Sequence, residues 1–302
     1  MNRAARRNPG RANRNWPMHA PTRISLGLAF ALLAVTPAAA QMQAPGIQPE
    51  LLTQRRDRPE GAIQFCVNAG AETAPLDRAV GQALGDILLA DISFVDIETD
   101  FAVNLDYIIP IDEQQLYIQL YSRCDAVLGY AYAPASLPPW LTISRPYAST
   151  GFVAVVLDDA AHAGIEAIGD LPRGVRIGGR LGSAGDTALL RYLGAQNDPA
   201  WRRLSYTDHR MAVERLADGT LDAAILWEPA YRTVVAQGLV EADLRVIDFA
   251  PVPEGDVAFG AIMMLDDTFL RGMLDDAIAA LHESGAFDAL VEETGIPAGP
   301  PQ

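Results

Sequence analysis

Two stretches of the sequence carry side chains suited to contact with a ligand. Trp227 is followed directly by Glu228, and an indole beside a carboxylate could hold a cation or an amine. The alternative is that Trp227 only caps the core and Glu228 is solvated. At 182–186 (Gly-Ser-Ala-Gly-Asp) a predicted strand gives way to a helix, so the backbone N–H groups around Ser183 could bind an anion. Asp186 opposes this, because its own carboxylate could cap the helix instead.

Tyrosine and threonine side chains form a second group of candidates. Tyr130 and Tyr132 follow a predicted strand at 126–129, where either ring could stack on a ligand or pack into the core. Tyr147 and Thr150 lie where we expect the chain to cross between two halves of the protein. Their hydroxyls could contact a ligand, or they could supply the hydrogen bonds that hold the crossing strands.

The sequence carries no pattern that indicates an enzyme. General acid–base chemistry would have to use Glu228, Asp186 or Glu72, and none of them is matched with a His or Lys partner. There is no Gly-x-Ser-x-Gly elbow and no phosphate-binding loop. The histidines beyond the N-terminal region lack metal-ligand spacing and are His162, His209 and His282. We therefore predict a protein without catalytic residues, metal or cofactor.

The elements that must position these residues alternate between strands and helices. Strands are predicted at 63–67, 107–109 and 126–129, with helices at 76–90 and 113–122 that place Leu116, Ile118 and Leu120 inward. A second series follows with strands at 152–156, 175–179, 223–226, 245–247 and 257–264, and helices through Leu193, at 211–216, 267–284 and 287–293. This order predicts an α/β protein with two lobes, each a mainly parallel sheet flanked by helices. Lobe 1 is expected at 61–150 plus 251–302 and lobe 2 at 151–250, with a ligand cleft between them.

The N-terminal 40 residues have the three parts of a secretory signal peptide. Residues 1–23 contain six arginines and no acid. An apolar run at 24–35 follows, and then a small-residue end, Ala38-Ala39-Ala40. The run is short of the roughly 20 residues that span a bilayer, although a membrane anchor is the alternative. We predict cleavage after about Ala40, a periplasmic location and a flexible lead-in at 41–60.

The charge of the mature chain excludes two classes of partner. Removing residues 1–40 leaves 17 basic and 38 acidic residues, a net charge of −21, with no lysine. Such a surface repels nucleic acid and anionic membranes, so we expect neither nucleic-acid binding nor membrane insertion.

The two cysteines both belong to the exported part. Cys66 and Cys124 lie at the edges of predicted strands, and neighbouring parallel strands could bring them together. In an oxidising compartment an isolated pair favours a disulfide over a metal site. Two unpaired buried thiols are the alternative.

Four segments, in the right order over about 63–297, resemble the family 3 extracellular solute-binding proteins of the polar-amino-acid type. Leu120–Gly129 is similar to the entry to the family's third strand, and Thr142–Val156 to its crossing between lobes. Arg215–Ala230 resembles a strand of its second lobe, and Phe259–Pro297 its closing strand and helices. The resemblance implies a type II periplasmic binding fold that captures a small molecule and serves an ABC importer.

One branch of this family is more similar than the amino-acid receptors. The solute-binding-like proteins associated with PQQ-dependent methanol dehydrogenases share the positions of Cys66, Cys124, the Arg-Pro-Tyr at 145–147 and the Trp-x-Pro at 227–229. This likeness implies an accessory role with a quinoprotein dehydrogenase. The alternative partner is an ABC permease. Two further hypotheses are a dehydratase-type enzyme on the same scaffold and a purely protein-binding module with an empty cleft.

The chain departs from the amino-acid receptors at the ligand site. Those proteins follow the third strand with Gly-x-x-x-Thr-x-x-Arg, whose arginine clamps the ligand carboxylate. Here 129–136 reads Gly-Tyr-Ala-Tyr-Ala-Pro-Ala-Ser, without arginine. The acid that receives the ligand's amino group is represented at best by Glu228. The candidate ligand-binding residues are therefore Tyr130, Tyr132, Tyr147, Thr150, Ser183, Asp186, Trp227 and Glu228.

Overall fold

A computed structural model describes residues 57–97, 113–132, 137–196, 199–253 and 255–301. The predicted signal peptide, lead-in residues 41–56 and the predicted strand at 107–109 lie outside these ranges. The end of the lead-in contacts lobe 1 through two ion pairs. Arg58 Nε donates to Asp125 Oδ1 at 3.0 Å, and Arg58 Nη2 lies 3.5 Å from Asp267 Oδ1. No helix within the described ranges is both long and apolar enough to cross a membrane.

The strands and helices alternate through most of the chain. The strands are β1 (Ala62–Asn68), β2 (Asp91–Ile97), β3 (Ala126–Ala131), β4 (Leu141–Ile143), β5 (Ala148–Thr150), β6 (Phe152–Leu157), β7 (Arg176–Arg180), β8 (Arg202–Tyr206), β9 (Ala223–Trp227), β10 (Leu244–Ile247) and β11 (Val257–Met264). The helices are α1 (Ala74–Leu88), α2 (Glu113–Ser122), α3 (Ala184–Gly194), α4 (His209–Ala217), α5 (Glu228–Ala236), α6 (Thr268–Glu283) and α7 (Ala286–Thr294). A 3-10 helix covers Ile168–Asp170.

These strands form two sheets, as predicted for a two-lobed α/β protein. Lobe 1 holds the order β2-β1-β3-β11-β4, with β5 also paired to β11. Lobe 2 holds the order β10-β6-β9-β7-β8. The chain crosses from lobe 1 to lobe 2 between β5 and β6, through Gly151, and returns between β10 and β11. The lobe boundaries themselves stay predictions.

Both sheets are mainly parallel, as predicted, and each contains one strand that runs against the others. β1, β2 and β3 run parallel, but β11 is antiparallel to β3, β4 and β5. In lobe 2, β7 is parallel to β8 and β9, whereas β6 is antiparallel to β9 and β10. The antiparallel direction of β6 and β11 follows from the way the chain crosses between the lobes. β6 and β11 each enter a sheet at the edge where the other strands end, so they run in the opposite direction.

Several elements were missing from the sequence prediction. β2 has a half-exposed burial pattern with acids at both ends, so it lacks the apolar run typical of a buried strand.

Helix α2 begins and ends where predicted, but it buries Tyr117 rather than Ile118 beside Leu116 and Leu120. Positions 116, 117 and 120 share one face at 3.6 residues per turn, and position 118 does not.

The core of lobe 1 contains the disulfide predicted from the sequence. Cys66 and Cys124 are joined, and both are buried beside Val127 and Ile262. Cys66 pairs in register with Val127 of the neighbouring strand, so the bond links β1 to the start of β3. It stabilises lobe 1 and lies apart from the cavity described next.

Candidate ligand-binding site

A cavity of ≈ 650 Å³ lies where the crossing segments meet lobe 2. Its walls combine apolar rings with the carboxylates of Glu228 and Asp256 and the guanidinium of Arg191. This size and mixture are typical of sites for small organic molecules. The lining residues are Gly151, Phe152, Ala184, Gly185, Ala188, Arg191, Tyr192, Ala195, Glu228, Phe249, Pro253, Gly255 and Asp256.

The start of α3 forms one edge of the cavity. Ser183 is the N-cap, and its Oγ accepts a hydrogen bond from Asp186 N at 3.1 Å. Asp186 is 1 % exposed and accepts from Gly182 N at 2.9 Å and from Arg203 Nε and Nη2 at 2.6 and 2.5 Å. The N-terminus of α3 is therefore capped by Ser183, and the Asp186 carboxylate binds the backbone just before the cap. Anion binding at Ser183 and Asp186 stays a prediction, and any anion would approach a carboxylate that is already present.

Arg203, which the sequence analysis missed, compensates the buried charge of Asp186. The bidentate hydrogen bond from its guanidinium to the carboxylate raises the pKa of Arg203 above its usual range. Arg203 lies in β8, also missed, because its exposed and polar sequence resembles a loop. A charged pair of this kind holds the helix start rigidly in place.

Trp227 and Glu228 are adjacent in sequence but differ in burial and partners, and a combined cation site stays a prediction. Trp227 ends β9 and is 1 % exposed. It shares a buried apolar cluster with Tyr147 and Phe259 of lobe 1. Glu228 begins α5, lines the cavity and accepts from Arg232 Nη2 at 2.9 Å. The indole therefore joins the two lobes, while the carboxylate already has a cationic partner.

The two tyrosines after β3 have different environments. Tyr130 is buried, and burial, aided by the charge of Glu113, raises the pKa of its hydroxyl to about 12. Tyr132 is 43 % exposed and is the one that could stack on an incoming ring. Neither lines the ≈ 650 Å³ cavity, so their ligand role stays a prediction.

Tyr147 belongs to a buried polar cluster in lobe 1. Its hydroxyl donates to Asp77 Oδ1 at 2.7 Å and accepts from Gly129 N at 2.6 Å. Thr73 Oγ1 donates to the other carboxylate oxygen of Asp77 at 2.9 Å. These contacts agree with the second role predicted for Tyr147. Its hydroxyl forms hydrogen bonds that hold the segment before the crossing in place.

Asp77 is the second residue that sequence reasoning missed. Burial raises its pKa from 3.8 to about 7, against the opposing effect of the hydrogen bonds from Tyr147 and Thr73. The nearest cation, Arg78, is directed to Asp96 and the Phe94 ring instead. The available signal was an acid in the first turn of a predicted amphipathic helix, on its apolar face.

The remaining candidates are Thr150 and the possible general acid Glu72. Thr150 ends β5 and is 4 % exposed. Glu72 lines a second, smaller cavity of ≈ 340 Å³ together with His209 and residues of α5. Within the described ranges, no group of three His, Cys, Asp or Glu side chains is placed to hold a metal ion.

Comparison with known proteins identifies the fold but not the family. No family model matches the chain, and no curated protein matches it. Among solved structures, substrate-binding domain 2 of Lactococcus lactis GlnP in its open conformation has a TM-score of 0.57 at 16 % identity. It covers 79 % of this chain and 97 % of that one.

Two further solved structures are similar over almost their whole length. An amino acid ABC transporter substrate-binding protein from Streptococcus pneumoniae, bound to L-arginine, has a TM-score of 0.51 at 19 % identity, covering 78 % of this chain and 94 % of that one. An ancestral cationic amino acid solute-binding protein, AncCDT-1, has a TM-score of 0.55 at 19 % identity, covering 77 % and 95 %. It is also described as a precursor of cyclohexadienyl dehydratase. The chain therefore has the two-lobed periplasmic binding protein fold, and none of these structures supports an association with a quinoprotein dehydrogenase.

Proposed function

We propose that this chain is an exported binding protein that encloses a small polar organic solute and delivers it to an ABC importer. The observation that carries the proposal is the ≈ 650 Å³ cavity where the crossing segments meet lobe 2. Two-lobed proteins of this kind close on a ligand by motion about their crossing segments. Two of the similar structures are described as amino-acid-binding proteins, which makes amino acids and their derivatives the first solute class to test.

The proposal is for binding without chemistry. Asp186 is paired with Arg203 and Glu228 with Arg232, so neither carboxylate is arranged as a free general acid or base. Asp77 is fully buried and does not reach the cavity lining. A quinoprotein dehydrogenase as partner stays a prediction from the sequence resemblance.

The test is thermal unfolding of the mature chain, starting at Gln41, against a panel of amino acids, amines and carboxylic acids. A solute that binds only the folded protein raises the melting temperature with concentration. Ala188→Phe, which narrows the cavity, should abolish the shift. Leu190→Phe, on the exposed side of the same helix, should preserve it.

The same experiment separates the two partner predictions. A solute-dependent rise in melting temperature supports the importer role. No shift with any solute, combined with co-elution with a purified PQQ dehydrogenase, would contradict the proposal and leave the accessory role.

A further inference from the structure

Two of the predicted ligand residues bury a polar atom that no other group in the described ranges satisfies. The Oγ1 atom of Thr150 and the Nε1 atom of Trp227 have no hydrogen-bond partner within the described part of the protein, although both side chains are almost fully buried. Buried donors and acceptors are nearly always paired in native proteins, because an unpaired one loses its bond to water without replacement. Within the described residues these two atoms lack a partner, and a bound ligand would supply one.

The backbones of these two residues lie close to each other, at the crossing between the lobes. Trp227 pairs with Phe152 across β9 and β6, and Glu228 N donates to Gly151 O at 3.1 Å. Thr150 directly precedes Gly151. The residues that line the ≈ 650 Å³ cavity at this point are Gly151, Phe152 and Glu228. The cavity is thus bordered by the residue after Thr150, the residue opposite Trp227 and the residue after Trp227.

The chemistry of the two atoms defines their partner. An indole N–H can only donate, and a threonine hydroxyl can donate as well as accept. A group that satisfies the indole must carry an acceptor lone pair, which a carboxylate or carbonyl oxygen provides and an ammonium group does not. We propose that the cavity's ligand presents a carboxylate or carbonyl oxygen to Trp227 Nε1–H and Thr150 Oγ1–H. This inference rests on the proposed binding function and specifies which end of the solute lies at the crossing segment.

The position of Thr150 explains how a ligand reaches atoms that are covered. Thr150 is the last residue of β5 and lies beside Gly151, where the chain crosses to lobe 2. Closure and opening in two-lobed proteins are absorbed by a few residues at the ends of elements. Movement at this crossing exposes the hydroxyl and the indole edge to the cavity, and the ligand oxygen then replaces the missing partner.

The test uses substitutions that remove only the donor. Thr150→Val keeps the size of the side chain, and Trp227→Phe keeps an aromatic ring without N–H. The matched controls are Ser149→Ala and Trp201→Phe, because Ser149 Oγ donates to Pro300 O at 3.3 Å and Trp201 Nε1 donates to Leu171 O at 3.3 Å. Without ligand, Thr150→Val should keep or raise the melting temperature, whereas Ser149→Ala should lower it, since only Ser149 loses an internal bond.

Binding is measured by calorimetry with matched probes. They are L-arginine, its decarboxylated form agmatine and its deaminated form 5-guanidinopentanoate, and the corresponding set L-phenylalanine, phenethylamine and 3-phenylpropanoate. We expect the wild-type protein to bind members that keep the carboxylate at least tenfold more tightly than the amines. Thr150→Val and Trp227→Phe should each weaken that binding about tenfold, and the two controls should leave it unchanged.

Three outcomes would overturn the inference. The first is amines that bind as tightly as acids, and the second is unchanged affinity in both donor variants. The third is an unliganded Thr150→Val protein that loses as much stability as Ser149→Ala, which would reveal an internal partner. In the first two outcomes the wild-type protein still binds a solute, so the proposed function survives. Absence of binding by the wild-type protein to every probe would instead contradict the proposed function, and this inference with it.

Discussion

The two lobes each bury an aspartate at the start of the helix that follows a strand, but they treat its charge differently. Asp77 in lobe 1 is 2 % exposed and Asp186 in lobe 2 is 1 % exposed. Asp186 receives a bidentate guanidinium from Arg203. Asp77 accepts hydrogen bonds from the hydroxyls of Tyr147 and Thr73, and no guanidinium among the described residues donates to it. The two carboxylates are therefore about equally buried but differ in their partners.

This difference has a consequence for each lobe. Desolvation favours the neutral form of a carboxyl group unless an opposite charge compensates it. Asp77 lacks that compensation and titrates at about 7, so lobe 1 carries a group that changes charge near neutral pH. In lobe 2 the ion pair instead fixes the start of α3 beside the cavity.

The largest expected effect comes from removing the cation in lobe 2. Arg203→Met leaves Asp186 buried without its counter-charge, and we expect the free energy of unfolding to fall by about 3 kcal/mol. Urea denaturation at pH 7 measures it. Arg232→Met, which removes the exposed partner of Glu228, is the control and should cost less than about 1 kcal/mol. Equal losses in the two variants would show that burial of the Arg203 pair has no energetic consequence.

A smaller effect, of opposite sign, is expected from neutralising the acid in lobe 1. The pKa of Asp77 is raised in the folded protein from 3.8 to about 7. The stability it contributes is therefore complete below pH 3.8 and is lost as the pH rises through 7. The side chain of Asp77→Asn cannot titrate. At pH 8 the free energy of unfolding of this variant should therefore be about 2 kcal/mol higher than that of the wild-type protein.

The Asp77 measurement is a pH series of denaturation midpoints. The advantage of Asp77→Asn should grow between pH 4 and pH 8, whereas the exposed Asp288→Asn should show no such trend. An advantage that is constant with pH would mean that Asp77 has the same protonation state throughout.

The smallest effect tests how tightly lobe 1 encloses its acid. Gly129 and Gly219 both have φ of +75°, but a Cβ on Gly129 would lie 2.6 Å from Asp77 Oδ2, and one on Gly219 would meet nothing. Gly219→Ala should cost about 1 kcal/mol for the backbone alone. Gly129→Ala should cost about 1 kcal/mol more by denaturation. If combining Gly129→Ala with Asp77→Ala leaves that extra cost unchanged, the clash is not with the carboxylate.

Prediction from the sequence succeeded where the local pattern and the fold agree. Helix α2 was predicted with its observed bounds, and the disulfide between Cys66 and Cys124 was predicted from strand edges. It failed for β2 and β8, whose polar, half-exposed residues gain strand geometry from neighbours far along the chain. It also failed for α5, which begins with Glu228-Pro229 directly after a strand.

The site could be predicted only in part for a related reason. Trp227, Glu228 and Ser183 could be named because they follow predicted strands, where α/β folds place ligands. The sequence could not pair Asp186 with Arg203, which lies 17 residues away. Nor could it show that the Tyr147 hydroxyl donates a hydrogen bond to Asp77, 70 residues away. Such pairings depend on sheet register.

The sequence by itself determined the two-lobed α/β architecture, the disulfide and the residue types at the strand ends. These depend on hydrophobic periodicity and chain order, which act over short distances. Only the tertiary structure decided which polar atoms are already satisfied. Asp186, Glu228 and Tyr147 are hydrogen-bonded within the protein, whereas Thr150 Oγ1 and Trp227 Nε1 have no hydrogen-bond partner among the described residues. Satisfaction of a buried polar group depends on atoms brought together by folding, so neither composition nor spacing contains it.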